Sequence, residues 1–211
     1  MRAAVMLLLA LSPMAIWNRI WRETNSHAAA QRGAQQYSAK LYDQSAQSFA
    51  TADKLAPNSR TAFDLGTAQI ASGKMSEGSA TLSRAMTDPA LRADSLYNRG
   101  NSALEAKAYE YAIRDYVDTL KLRPGDAQAK RNLEIALERL HQMKRSSGGK
   151  QGQQPQSPQQ QNQKAPSAGQ KEQSQEQQGE AEALLRSVQQ QEEEEMQRMK
   201  RARVDSARVG W

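Results

Sequence analysis

The sequence predicts an all-α protein made of stacked helix pairs, and three observations carry that prediction. Glycines recur at a near-constant stride, with Gly66 lying 33 residues after Gly33 and Gly100 lying 34 after Gly66. Counted from each glycine, residue size alternates at matching places. Tyr37, Ile70 and Leu104 are large; Ser45, Gly78 and Ala112 are small; Phe49, Leu82 and Tyr116 are large; Ala52, Ala85 and Thr119 are small again. Pro57 and Pro124 close the first and third units at the same place, and Pro89 falls one place earlier in the second. Such alternation suits two helices that cross closely, with small residues where the backbones approach and large ones filling the gaps. Proline ends the second helix because it cannot continue the backbone hydrogen bonds.

The N-terminal element precedes this array. Residues 3–18 carry no charge and are followed by Arg19, Ile20, Trp21 and Arg22. A helix of that length covers about 24 Å, against the ~30 Å hydrocarbon core of a bilayer. Snorkelling arginines and the headgroup preference of Trp17 and Trp21 make up the difference. We read residues 1–25 as a signal-anchor reaching the membrane through residues 3–21. A cleavable signal ending at Ala28-Ala29-Ala30 and a buried soluble helix are the alternatives; that cleavage motif lies far past the apolar run.

Three units follow, at 26–58, 59–92 and 93–126. The exposed face of the last needs a cap, and residues 127–141 supply it. Asp126 is the N-cap, and Ala129, Leu133, Ala136, Leu137 and Leu140 share one side. His141, after this helix, reads as a cation at a helix end. Thirteen of the 28 residues from 151 to 178 are Gln, so 142–179 is expected to be a disordered linker with no apolar face to offset the entropy of ordering. Residues 180–211 form a C-terminal helical tail. Its acidic start and basic end match the helix dipole, Glu194 and Arg198 are an i,i+4 pair, and Leu184, Leu185 and Val188 make a short apolar stripe. Such a helix is marginal alone and calls for a partner.

Composition narrows the function. The chain has 211 residues, no cysteine and only two histidines, His27 and His141, which leaves thiol, zinc and Ser-His chemistry without a residue set. No acid-base or nucleophile constellation appears, so no enzyme, cofactor, metal or small-molecule substrate is expected. The net charge of +6 is spread along the chain rather than concentrated in a nucleic-acid surface. A membrane-surface or nucleic-acid role for Arg198–Arg208 is the weaker rival.

The 34-residue pattern resembles the tetratricopeptide (TPR) repeat, most strongly in the third unit. Met75, Gly73 and Gly78 depart from it in the second, and Arg99 stands where the family usually has Leu. The resemblance implies a three-pair superhelix whose concave lining comes from the first helix of each unit. Matching positions are His27, Ala30, Gln31, Ala34 and Tyr37; then Arg60, Phe63, Asp64, Thr67 and Ile70; then Asp94, Tyr97, Asn98, Asn101 and Leu104. The cap adds Arg131 and Asn132. From these, Phe63, Tyr97, Asn98, Asn101, Arg131 and Asn132 are the candidate groove residues, aromatic for contact and amide for a peptide backbone. The two-carboxylate clamp of chaperone-binding TPR domains needs Lys and Asn where Ala30 and Ala34 stand.

The whole layout also resembles the TPR proteins of bacterial aerotolerance (Bat-type) operons. The Gln-rich tract and the tail "ALLRSVQQQEEEEMQRMKRAR" carry that likeness, although Gly210 replaces the usual charged residue before Trp211. It implies a scaffold at the inner membrane, repeats in the periplasm, and von Willebrand factor A-type membrane proteins as partners. A soluble periplasmic chaperone or assembly factor is the alternative.

Overall fold

The computed structural model describes residues 13–148 and 168–208. They form eight helices and, among the described residues, no strand: α1 Pro13–Ser38, α2 Tyr42–Leu55, α3 Ser59–Ala71, α4 Met75–Ala85, α5 Pro89–Glu105, α6 Tyr109–Leu122, α7 Ala127–Gly148 and α8 Ala168–Arg208. The chain divides into two compact units between Arg92 and Ala93.

In the first unit α1 pairs with α2, α2 with α3, and α3 with α4. The glycine positions explain how closely the pairs cross. A Cβ on Gly33 would lie 2.9 Å from the Phe49 ring, and one on Gly78 would lie 2.7 Å from the Gly66 carbonyl oxygen. Gly78, out of pattern in the sequence, is therefore required by backbone contact between α3 and α4. Between the helices of a pair the chain turns through a left-handed residue at one recurring place: Lys40 (φ 60°), Gly73 (φ 84°) and Lys107 (φ 59°). Glycine is the unstrained choice there, which accounts for Gly73.

The start of α3 is fixed by a capping box. Asn58 accepts from the Thr61 N–H at 2.9 Å, and Thr61 Oγ1 accepts from the Asn58 N–H at 3.0 Å. Asp53, nearly buried, receives Thr61 Oγ1 at 2.8 Å and Arg84 Nη2 on both oxygens at 2.8 Å, tying α2, α3 and α4 together.

Two expected boundaries shift. Pro89 does not close the second unit; α4 ends at Ala85, and Pro89 is the first residue of α5. Asp88 caps that helix, its carboxylate accepting from the Ala90 N–H at 2.9 Å, and proline suits a first helical position whose N–H has no intrahelical partner. Nor is there a break at 25/26. α1 is continuous from Pro13 into the first repeat, and Arg22 Nε donates to the Leu55 carbonyl at 2.9 Å. Arg22, expected at the headgroups, thus lies on the end of α2. No described helix is long and apolar enough to cross a membrane; residues 1–12, most of the expected span, lie outside the described residues.

In the second unit Gly100 receives Tyr116, whose ring a Cβ would meet at 2.8 Å. Tyr116, Ile113, Leu120, Leu133 and Leu140 are fully buried. Asp126 Oδ1 caps α7, accepting from the Gln128 and Ala129 N–H groups at 3.1 and 3.0 Å. The position given to a Leu in the repeat pattern holds Arg99, which forms a two-pronged ion pair with buried Asp115 at 2.7 and 2.6 Å. The substitution is thus matched by a carboxylate one helix away.

The linker and tail need correction. Helix α7 runs on to Gly148 and α8 begins at Ala168, so both ends of the expected disordered linker are helical, while residues 149–167 lie outside the described residues. His141 is consequently inside a helix rather than at its end. The inner part of the tail is not left waiting for another molecule, because α8 packs on α6 and α7. Ala181, Leu185 and Val188 are buried, the first two in one cluster with Tyr116, Leu120, Leu133, Leu137 and Leu140. Lys121 Nζ bonds Glu180 at 2.7 Å, and His141 Nε2 lies 3.8 Å from Glu182. The apolar stripe thus packs on the chain's own second unit.

Candidate functional site

The first unit carries a cavity of about 270 Å³ lined by Ala34, Tyr37, Ser38, Phe49, Phe63, Asp64 and Thr67. Its construction follows from the helix period. Ala34, Tyr37 and Ser38 fall on one face of α1, and Phe63, Asp64 and Thr67 on one face of α3. The small side chain of Ala34 leaves the hollow that Tyr37 and Phe63 wall. Phe49, from α2, forms part of its wall and also belongs to the core cluster with Ala46, Leu65 and Ala68. Tyr37 is steadied by an edge contact with Tyr42 at 5.2 Å, and Arg60 lies 5.7 Å from the centre of the Phe63 ring.

Asp64 is the one charged residue lining this apolar space. Arg60 Nε donates to its Oδ2 at 3.1 Å. Burial nevertheless prevails over the arginine and raises the Asp64 pKa above the ordinary carboxylate value. Burial likewise raises the Tyr37 phenol, with a smaller contribution from Tyr42. The arrangement can accept a bulky apolar side chain and offer an acceptor to a donor beside it.

The second unit presents a different surface, built from α5 and α7. Tyr116 OH donates to Asn101 Oδ1 at 2.7 Å, and Asn132 Nδ2 donates to the same oxygen at 2.9 Å. Asn132 Nδ2 also reaches Tyr97 OH at 3.3 Å, and Tyr97 OH donates to Gln128 Oε1 at 3.4 Å. Tyr97 and Tyr116 have ring centres 6.1 Å apart. Burial raises the Tyr116 phenol well above its usual value, and its hydroxyl proton goes to Asn101.

Of the sequence-derived candidates, Tyr97, Asn101 and Asn132 are brought together in this network. Asn98 is half-buried on α5, and Arg131 is exposed on α7. Phe63 belongs to the cavity of the first unit. The side-chain carbonyl oxygen of Asn101 joins α5, α6 and α7. The cavity adds Ala34, Asp64, Tyr37 and Thr67 to the site; all four lie at positions implied by the repeat. Phe49 was legible only as a core residue. A second hollow, about 510 Å³ and lined by Ala15, Asn18, Arg19, Arg22, Glu23, Leu55, Ala56 and Pro57, had no sequence signal, since it depends on Arg22 lying over the end of α2. Among the described residues no cluster of His, Cys, Asp or Glu has the arrangement of a metal site.

No family model and no curated protein matches this sequence. Solved structures do. A crystal structure of MamA superposes with a TM-score of 0.56 at 16% identity, over 87% of this chain and 88% of that one. The first TPR of Spaghetti (RPAP3), bound to the HSP90 peptide SRMEEVD, gives 0.51 at 18% identity over 56% and 95%. The Sgt2 TPR domain from Aspergillus fumigatus gives 0.52 at 18% identity over 69% and 93%. At these identities the likeness is one of fold, and the fold of this chain is that of TPR proteins.

Proposed function

We propose that this protein is a non-enzymatic TPR scaffold that binds segments of partner proteins and is held at a bacterial inner membrane by its N-terminal segment. The observation that carries the binding role is the cavity of the first unit, an apolar hollow on the first helices of two repeats. Its chemistry favours a peptide presenting a bulky apolar side chain beside a donor. Ala30 and Ala34 stand where a carboxylate clamp needs Lys and Asn, and Asp64 would repel an acidic peptide, so a ligand such as the one held by the RPAP3 neighbour is disfavoured here.

Membrane attachment is supported by the start of α1, where Met14, Ile16, Trp17, Ile20 and Trp21 are all exposed. Five large apolar residues within eight positions are costly to leave in water and suit an interface with lipid. The rival, a soluble factor released by cleavage after Ala30, would discard Ser26, whose hydroxyl bonds the Ala52 carbonyl at 2.9 Å, and Ala29, which is fully buried. The resemblance to Bat-type proteins supports a periplasmic orientation, an aerotolerance-type complex and von Willebrand factor A-type partners.

The binding role is tested by photo-crosslinking in intact cells from a reactive residue at Thr67, with identification of what is captured. Ala34→Phe fills the cavity from an exposed position; it is expected to lower affinity for the captured protein at least about tenfold with little change in Tm. Unchanged binding with the cavity filled overturns the reading. N-terminal sequencing of the mature protein tests the anchor, and a start near Gln31 refutes it.

A further inference from the structure

Helix α8 is much longer than its docking site. Its 41 residues span about 60 Å, yet burial stops at Val188, and from Gln189 to Arg201 every described side chain is exposed. This outer part is not uniformly polar. Met196 and Met199 are 50% and 57% exposed, three residues apart on one face. They are bracketed by opposite charges, with Glu192–Glu195 on one side and Lys200, Arg201 and Arg203 on the other.

That order is self-complementary only when two copies run in opposite directions. With the twofold axis midway between Gln197 and Arg198, Met196 of one copy meets Met199 of the other, and this pairing occurs twice. The segment 192–195 then lies along 200–203 of the second copy, again twice. Met196 and Met199 have the three-residue spacing of neighbouring positions in a coiled-coil seam, and Glu193 and Lys200, seven residues apart, flank it on one side. We propose that the outer part of α8 is a self-association surface, which pairs two copies of this chain as an antiparallel helix pair joined by Met196–Met199 contacts and Glu193–Lys200 ion pairs. A parallel pair would set acidic run against acidic run and basic against basic, so charge selects the antiparallel arrangement. The interface is isologous and closes at two copies. A contact of about three helical turns buries less than the ~1,200 Å² typical of permanent interfaces, so the association is weak, reversible and salt-sensitive.

Sedimentation equilibrium of the full-length chain tests this. The wild type is expected to be a monomer–dimer mixture whose association weakens about tenfold between low and high salt. Glu193→Lys and Lys200→Glu each replace two attractive pairs with two repulsive ones and should weaken association at least about tenfold. The double variant, Glu193→Lys with Lys200→Glu, restores it, and so does mixing the two single variants. Because the chain has no cysteine, orientation is read by disulfide trapping. A mixture of Met196→Cys and Met199→Cys chains should cross-link preferentially between the two variants. Cross-links dominated by 196–196 and 199–199 pairs, a wild type that stays monomeric, or a dimer indifferent to both charge reversals each overturn the proposal.

Discussion

Arg99 and Asp115 offer the sharpest test of how this sequence holds its second unit together. Asp115 is 2% exposed and Arg99 25% exposed, and the two make parallel bonds of 2.6 and 2.7 Å. The same ion pair holds the Arg99 pKa above its ordinary value, the hydrogen bond that Arg99 donates to Asp115 outweighing the cost of burial. Replacing Arg99 with Met keeps the aliphatic stem but leaves a buried carboxylate without its cation. Removing one partner of a buried pair costs about 3–5 kcal/mol. Replacing both, as Arg99→Met with Asp115→Leu, removes the desolvation penalty together with the attraction and should restore most of that loss. Amide hydrogen exchange in α5 and α6 is the assay, because it reports the second unit separately from the first. Arg99→Met should accelerate the slowest exchanging amides there by about 10²–10⁴-fold, and the double variant should fall within about tenfold of wild type. The reasoning fails if Arg99→Met costs under about 1 kcal/mol, since the pair would then be behaving like a solvent-exposed one. It fails equally if the double variant is as unstable as the sum of the two singles, which would make the two side chains energetically independent.

Four further outcomes follow from the geometry. Gly78→Ala places a methyl 2.7 Å from the Gly66 carbonyl oxygen and should destabilise the first unit by about 1–3 kcal/mol, whereas Lys107→Gly relieves a left-handed lysine and should stabilise the second by up to about 1 kcal/mol; urea denaturation measures both. Asp64 has a raised pKa in the folded chain, so the folded state holds its proton more tightly than the unfolded one. Its contribution therefore improves as pH falls through that raised value and is lost as pH rises, and Asp64→Asn should remove this increment from the Tm–pH profile while raising Tm at neutral pH. Leu185→Ala, at a buried position on α8, should cost about 2–3 kcal/mol of α8 docking, seen as faster amide exchange in α8 with exchange in α1–α4 unchanged.

The repeat was legible because its signal is redundant. Gly33, Gly66 and Gly100 each meet the large residue sixteen places on, Phe49, Leu82 and Tyr116 respectively, so one steric rule was written three times. The departures were harder to interpret because each depends on a partner elsewhere in the sequence. Gly78 needs Gly66, and Arg99 needs Asp115. Pro89 is ambiguous from sequence because proline stops one helix and starts another equally well; Asp88 before it, which caps α5, is the signal that decides between them. For the site, the repeat register supplied Ala34, Tyr37, Phe63, Asp64 and Thr67, but not whether a polar residue faces outward or inward. Amides such as Asn101 and Asn132 suit a peptide backbone, and the same donors and acceptors also satisfy one another across α5, α6 and α7. Side-chain chemistry alone does not separate those uses.

The tail's place follows from what the end of the array leaves uncovered. A helix that closes a stack of repeats covers the last apolar face but brings an apolar face of its own. On α7 the buried residues Ala129, Leu133, Ala136, Leu137 and Leu140 fall at intervals of three and four, with one adjacent pair, a stripe wide enough to need more than α6 for cover. Ala181 and Leu185 join the same cluster, and the Lys121–Glu180 pair fixes their register on α6. The second unit therefore requires two closing helices, and α7 was assigned the whole task because a Gln-rich tract separates the second closing helix from it in sequence. Sequence distance has little bearing here: lengthening a loop twofold costs only about 0.6 kcal/mol of closure entropy, less than burying a single leucine returns. It follows that the inner part of α8, through Val188, belongs to the folded second unit, and that only the outer part is left to meet another molecule.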